Sequence, residues 1–228
     1  MRFKVLIDGE KLNPEYTTGW GVSVYFPDLM LLFDTGENPL SLEENLNIAG
    51  IENRDIKHIF IPKEGWEHTG GIEAVIGVDK IVYVPSGVSN DLTEMIHSVG
   101  SECRIIEKTE EILPSVSALR TKDSKIKEMA LLIKMGFEAS IFGGSEGGIL
   151  PILEDQGIID KPINLLFGRL NPLSYSEKEL LNLAGKLDLS NPKKVAPANC
   201  SGDLALEVFK RYFKDRFITV GIGLEGEV

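Results

Sequence analysis

With 228 residues, 43% of them hydrophobic and 26% charged, the chain has ordinary globular composition and enough length for a sizeable core, which excludes disordered, collagen-like and fibrous classes. A formal charge of −11 argues against the basic surface that nucleic acids and anionic membranes require, so neither is expected as a partner. Three histidines, His58, His68 and His97, bound any site built from imidazoles.

In chain order, residues 3–8, 20–26 and 29–34 are short runs rich in Val, Ile, Leu and Phe with turn residues between them, and are predicted as strands. The spacing of Leu40, Leu42, Leu46 and Ala49 predicts a helix over 39–49. Residues 56–62 read as a strand, followed by a Gly-rich turn and a helix near 69–76. Strands are predicted at 81–85 and 103–106 around a helix at 90–99. Residues 115–120, 129–135 and 138–143 read as a β-meander with Gly136 at its second turn. A helix at 147–156, a strand at 163–167, a helix at 176–186 and a strand at 194–197 follow. The helix at 203–213 has an apolar face of Leu204, Leu206, Val208, Phe209, Tyr212 and Phe213, and 216–220 is predicted to close a sheet. Both halves run from strands into α/β alternation, without a linker or repeat. Residues 1–228 are therefore read as one α/β domain, a four-layer αββα sandwich of two sheets with helices outside.

Cys103 and Cys200 form no Cys-x-x-Cys pair, which leaves no sign of a disulfide framework or a cysteine zinc site and suits the cytoplasm. The N-terminus reads straight into a strand, unlike a signal peptide, and no stretch approaches the roughly 20 apolar residues of a membrane helix.

Chemistry is expected where strands end before helices. Four such segments stand out: Asp34-Thr35-Gly36; Pro62-Lys63-Glu64-Gly65-Trp66-Glu67-His68-Thr69-Gly70-Gly71; Phe142-Gly143-Gly144-Ser145-Glu146-Gly147-Gly148; and Ala196-Pro197-Ala198-Asn199-Cys200-Ser201-Gly202-Asp203. No Gly-x-x-x-x-Gly-Lys-Ser/Thr loop, Gly-x-Ser-x-Gly elbow or basic stripe with interleaved aromatics is present, and no histidine has an evident serine partner for a triad.

Taken together, these segments resemble the metallo-β-lactamase superfamily, in particular its metal-dependent hydrolase branch related to the dihydropterin ribofuranosyl-aminobenzene phosphate synthases. The resemblance covers nearly the whole chain. Gly19-Trp20-Gly21-Val22-Ser23 and Leu32-Phe33-Asp34-Thr35-Gly36 match the opening hairpin, and residues 63–71 match the His-x-His-x-Asp-His-Thr-Gly-Gly metal motif. Gly143-Gly144-Ser145-Glu146 matches a Gly-Cys-Ser-His loop, and Gly168-Arg169-Leu170-Asn171 a Gly-Gly-Phe-His segment. Pro197–Gly202 matches a Cys-His-Cys-Thr-Gly type loop. The resemblance implies the αββα fold and a binuclear metal centre, but the departures are specific. Lys63 and Gly65 occupy the first two histidine positions, Glu67 replaces the aspartate, and His68 keeps its ligand position. Glu146, Asn171 and Asn199 replace three further histidines. The usual binuclear site cannot form from these residues.

Two chemistries remain open for the pocket of Lys63, Gly65, Glu67, His68, Glu146, Asn171 and Asn199. In the preferred one, no cofactor is bound. The Lys63 ammonium stands in for the metal between Glu67 and Glu146, which would otherwise repel, and the pocket takes a small anionic or polar molecule, such as a phosphate or carboxylate aided by Arg169, without hydrolysis. In the other, Glu67, His68 and Glu146, with Asn199 as a weak donor, hold one divalent metal such as Zn²⁺ in a mononuclear hydrolase of an ester, phosphoester or lactone. A third reading is a non-catalytic scaffold, marked by an apolar surface patch. The plainer readings are that His68 only bonds the helix start, Glu67 and Glu146 are solvated, Lys63 is a surface lysine and Trp66 packs. Asp34 is read as a brace for the loops, His58 as a core-edge residue, His97 as remote from every motif, and Cys200 as buried and inert. The oligomeric state is left open.

Overall fold

The computed structural model describes residues 1–123, 127–144 and 147–228. In chain order these form β1 (Arg2–Ile7), β2 (Ser23–Phe26), β3 (Leu31–Phe33), α1 (Pro39–Ile48), β4 (His58–Phe60), α2 (Trp66–Thr69), β5 (Ile81–Pro85), α3 (Asn90–Ser98) and β6 (Glu102–Ile106). They continue with β7 (Glu110–Leu113), β8 (Val116–Arg120), β9 (Met129–Met135), β10 (Glu138–Gly144), α4 (Leu150–Asp155), β11 (Ile163–Arg169), α5 (Glu177–Leu187), β12 (Lys194–Pro197), α6 (Asp203–Phe213) and β13 (Glu225–Glu227). The chain divides into two compact units. The first comprises Met1–Glu107 with Gly221–Glu227, and the second Lys108–Val220.

The first unit holds a seven-stranded sheet in the order β13-β1-β2-β3-β4-β5-β6. Pairing is antiparallel from β13 to β3 and parallel from β3 to β6. Parallel neighbours need crossovers, which the segments containing α1, α2 and α3 supply. α1 starts where Asn38 accepts the Leu40 N–H at 2.8 Å and Pro39 takes the first turn. Leu6, Leu32, Ile59 and Val82 alternate onto the face that packs against Leu42, Leu46, Leu92 and Ile96. The helix predicted near 69–76 is instead broken. α2 stops at Thr69 and a separate 3₁₀ turn spans Ile72–Ala74. The physical reason is backbone crowding: a Cβ at Gly70 would lie 2.1 Å from the Glu37 carbonyl oxygen.

The second unit holds a six-stranded sheet in the order β12-β11-β10-β9-β8-β7, parallel from β12 to β10 and antiparallel from β10 to β7. Its core joins Leu132, Ile141 and Leu166 to Leu153, Leu183, Val208 and Phe213 from the helices. α5 opens on a capping box in which Ser176 and Glu179 satisfy each other's backbone. Residues 216–220 do not form the predicted strand. They make one bridge, Val195 with Phe217, and the Ile218 N–H donates to the Val195 carbonyl at 2.8 Å. The strand that does finish a sheet is β13, held to β1 by backbone pairing and by a Lys4–Glu225 ion pair at 2.8 Å. Among the described residues no helix is long and apolar enough to cross a membrane.

Candidate functional site

Within the first unit, the ends of β3 and β4 converge on His68. Asp34 leaves β3 with φ +60°, a left-handed conformation that Asp tolerates better than most residues. Its carboxylate has no solvent exposure. Oδ1 accepts the Thr35 N–H at 2.9 Å, and Oδ2 lies 2.6 Å from His68 Nδ1. Thr35 Oγ1 donates to the His68 carbonyl at 2.5 Å, so the Asp-Thr pair grips both the ring and the backbone of one residue. Ser23 from β2 donates to the Asp34 carbonyl at 2.8 Å and ties this turn back into the sheet.

The loop after β4 is anchored elsewhere. Glu64 accepts the Ser89 N–H at 2.7 Å and the Ser89 hydroxyl, while Ser89 Oγ caps α3 through the Leu92 N–H. α2 is then a single turn closed on Gly65, whose carbonyl receives the His68 and Thr69 N–H groups at 2.9 and 2.8 Å. This turn puts Glu67 and His68 inside, at 7% and 3% exposure, and leaves Trp66 outside at 61%. Glu67 is thus not a solvated acid, His68 bonds Asp34 rather than merely starting a helix, and Trp66 is not a packing residue.

His68 Nε2 lies 3.9 Å from Glu67 Oε1 and is buried without a hydrogen-bond partner among the described residues. Burial works to lower the His68 pKa. The charge and hydrogen bond of Asp34, with the charge of Glu67, outweigh that and hold it above the ordinary imidazole value, against a smaller opposing effect of Lys63. Burial pushes the Asp34 carboxyl up, tempered by His68 and the Thr35 N–H. Gly65 faces the same group: a Cβ there would lie 3.1 Å from Glu67 Oε2 and 3.7 Å from His68 Cδ2. The first unit therefore assembles Asp34, Gly65, Glu67 and His68, within reach of the Lys63 charge.

In the second unit, Asn171 follows β11 and is 1% exposed. Its Nδ2 donates to the Pro172 and Ser201 carbonyls at 2.9 and 3.2 Å, joining the loop after β11 to the one after β12. Its Oδ1 is buried without a partner among the described residues. Asn199 opens the 3₁₀ turn before α6 and is half-buried. Arg169, at the end of β11, is buried. Glu146 lies outside the described residues, as does Ser145. Gly147, which follows them, is held by a residue that sequence reasoning missed. The Gly147 N–H is 3.2 and 3.3 Å from the two carboxylate oxygens of buried Glu128, and the Glu128 carbonyl accepts from buried Arg120 at 2.9 Å. The available signal was a charge abutting each of two apolar runs, Arg120 at the end of β8 and Glu128 before β9. His58 is half-buried, its Nδ1 3.1 Å from the Tyr83 hydroxyl, and Cys200 is buried.

Among the described residues no group of three or more His, Cys, Asp or Glu side chains is placed to hold a metal ion. His68 Nε2 and the Glu67 carboxylate supply two donors where catalytic zinc sites use three protein ligands. The described residues do not fit a binuclear centre.

No family model and no curated protein matches the sequence. Solved structures do. Tm1679, described as a metal-dependent hydrolase of the β-lactamase superfamily, superposes with a TM-score of 0.85 at 23% identity, over 100% of this chain and 99% of its own. YhfI from Bacillus subtilis, a metallo-β-lactamase fold protein, gives 0.68 at 11% identity over 99% of each chain. The short form of human tRNase Z gives 0.66 at 13% identity, over 100% of this chain and 99% of that one. The chain thus has the metallo-β-lactamase fold.

Proposed function

We propose that this hydrolase-like protein carries a degenerate metal site, rebuilt as a charge-balanced pocket that binds a small anionic or polar molecule without hydrolysing it. The observation that carries this reading is the donor set at His68, where one imidazole and one buried carboxylate face a glycine and feel the charge of a lysine. Two buried carboxylates, Asp34 and Glu67, need positive charge nearby. The Lys63 ammonium supplies it from the chain itself, the same carboxylates favour the protonated form of His68, and both side chains carry N–H donors for a ligand. In this reading the partner is a small molecule, not a nucleic acid or a membrane, and the compartment is the cytoplasm.

One observation favours a second reading. His68 Nε2 is buried, lacks a partner among the described residues and sits beside Glu67, as a ligand of a single divalent metal would. A metal bound there would supply Lewis-acid chemistry toward an ester, phosphoester or lactone.

Elemental analysis of protein purified without added metal, followed by calorimetric titration with Zn²⁺ and Mn²⁺, separates the two. The expected result is far less than one metal per chain and no binding tighter than about 10 μM. Stoichiometric, tight metal would overturn the metal-free reading. A variant combining Lys63→His, Gly65→His, Glu67→Asp, Glu146→His and Asn199→His should take up metal. A folded variant that takes up none would show that these positions do not correspond to the ligand positions of the superfamily.

A further inference from the structure

The chain has two tryptophans, Trp20 and Trp66, and both keep exposed surface in the first unit, one before β2 and one at the start of α2. Trp66 opens α2 directly before Glu67, and Trp20 lies in the loop leading into β2, 38% exposed. Both segments are packed on Glu37. Glu37 donates its N–H to the Trp20 carbonyl at 3.1 Å and accepts the Trp20 N–H on Oε1 at 2.8 Å. The Glu37 carbonyl in turn presses on Gly70, at the end of α2. Gly21, at φ +93°, passes so close to Glu67 that a Cβ there would lie 2.3 Å from the Glu67 carbonyl oxygen. The indole-bearing residues are therefore fixed next to the backbone of Glu67.

Tryptophan carries the largest apolar surface of any side chain and is usually well buried. Neither indole here has a ring or hydrogen-bond partner among the described residues. Trp66, 61% exposed, and Trp20, 38% exposed, both keep open surface beside one buried pair. An independent observation points the same way: His68 Nε2, on a side chain 4% exposed, lacks any partner among the described residues. Such a buried polar atom calls for a partner that the described residues do not supply. Exposed indole faces take flat rings, and Trp Nε1–H adds a donor at the ring edge.

We propose that the ligand is a small molecule in which a flat aromatic ring carries an anionic or polar group, with the ring stacking on Trp66 and Trp20 and the polar group directed at His68. This rests on the ligand-binding reading above and adds the ring to it. Nucleotides and simple aromatic acids share that chemistry, and the assay below separates them.

Because the protein has no other tryptophan, its intrinsic fluorescence reports on these two residues alone. The full chain is titrated with AMP, GMP, phenyl phosphate and benzoate, each beside its ring-free counterpart: ribose 5-phosphate, inorganic phosphate or acetate. Calorimetry provides the affinities. The expected result is saturable quenching by at least one ring-bearing probe, bound about 10-fold more tightly than its counterpart. Trp66→Ala and Trp20→Ala should weaken the ring-bearing probe more than the ring-free one, and Trp66→Phe, which keeps a stacking face, should retain most of the affinity. If ring-bearing and ring-free probes bind alike and the tryptophan variants change neither, the ring is refuted while the anion-binding reading stands. If no probe binds more tightly than about 1 mM, both fall. If sedimentation shows a self-association that Trp66→Ala abolishes, a second copy of the chain covers the indoles and the proposal is overturned.

Discussion

Asp34 is the fixed half of the His68 pair, and the cost of removing it follows from its contacts. Asp34→Asn keeps the side-chain volume, the left-handed backbone and an oxygen for the Thr35 N–H. What disappears is the charged partner of His68 Nδ1, a charge-assisted bond worth about 1.5–3 kcal/mol. Asp34→Ala also strands the Thr35 N–H and His68 Nδ1 in a fully buried place, which raises the loss to about 3–5 kcal/mol. Equilibrium urea unfolding reads both. The pH dependence supplies a second readout. The native state keeps the His68 proton to higher pH than the unfolded chain does. The contribution of the pair is therefore complete below the unfolded value of about 6.5 and is lost as pH rises through the higher native one. Asp34, itself raised by burial, acts in the same sense, its share fading as pH climbs above the ordinary carboxylate value. Asp34→Asn should flatten this decline. Variants within about 0.5 kcal/mol of the parent, or parallel stability–pH curves for the parent and Asp34→Asn, would refute the role of the pair in organising the loop.

Gly65→His alone should destabilise, because its Cβ arrives 3.1 Å from Glu67 Oε2, whereas Glu67→Asp withdraws the carboxylate. A double-mutant cycle by thermal unfolding should therefore give a favourable coupling of about 0.5–3 kcal/mol, and additive effects would contradict the geometry. Lys80 is 5% exposed and donates to the Asn53 and Ile56 carbonyls at 2.6 and 2.7 Å. Lys80→Met, which leaves both carbonyls without that donor, should cost about 2–3 kcal/mol in the same assay.

Periodicity located the elements that bury an apolar stripe. The helix at 203–213 and the strands at 81–85, 129–135 and 194–197 are found with the expected bounds. It failed where pairing, not burial, makes the strand. β7 begins Glu110-Glu111 and β13 is Glu225-Gly226-Glu227, both polar edge strands that a hydrophobic pattern cannot mark. The helix expected near 69–76 failed because the carbonyls pressing on Gly70 and Gly71 belong to Glu37 and Thr35, residues distant in sequence. At the site, the loops were legible because motif order survives the loss of ligands, and His68 and Asp34 stood out as a retained ligand position and a turn residue. Their direct contact was not legible, since 34 positions of chain separate them. Glu128 was missed for a similar reason: its hold on the Gly147 N–H depends on the antiparallel pairing of β9 with β10, which brings residues 19 positions apart together.

The last strand has a consequence for how the protein is made. β13 completes the first sheet beside β1, yet in the chain it follows the whole of Lys108–Val220. At ordinary synthesis rates, on the order of ten seconds pass between the emergence of Glu107 and that of Gly221. Throughout that interval the nascent chain presents β1 as an open edge, with the Val5 N–H still waiting for the Leu224 carbonyl. The alternating Arg2 and Lys4 on that strand place positive charge along the waiting edge, and Glu225 and Glu227 arrive to meet it. Like charge along an unpaired edge discourages two nascent chains from adding to each other, while leaving it attractive to the one acidic strand that belongs there.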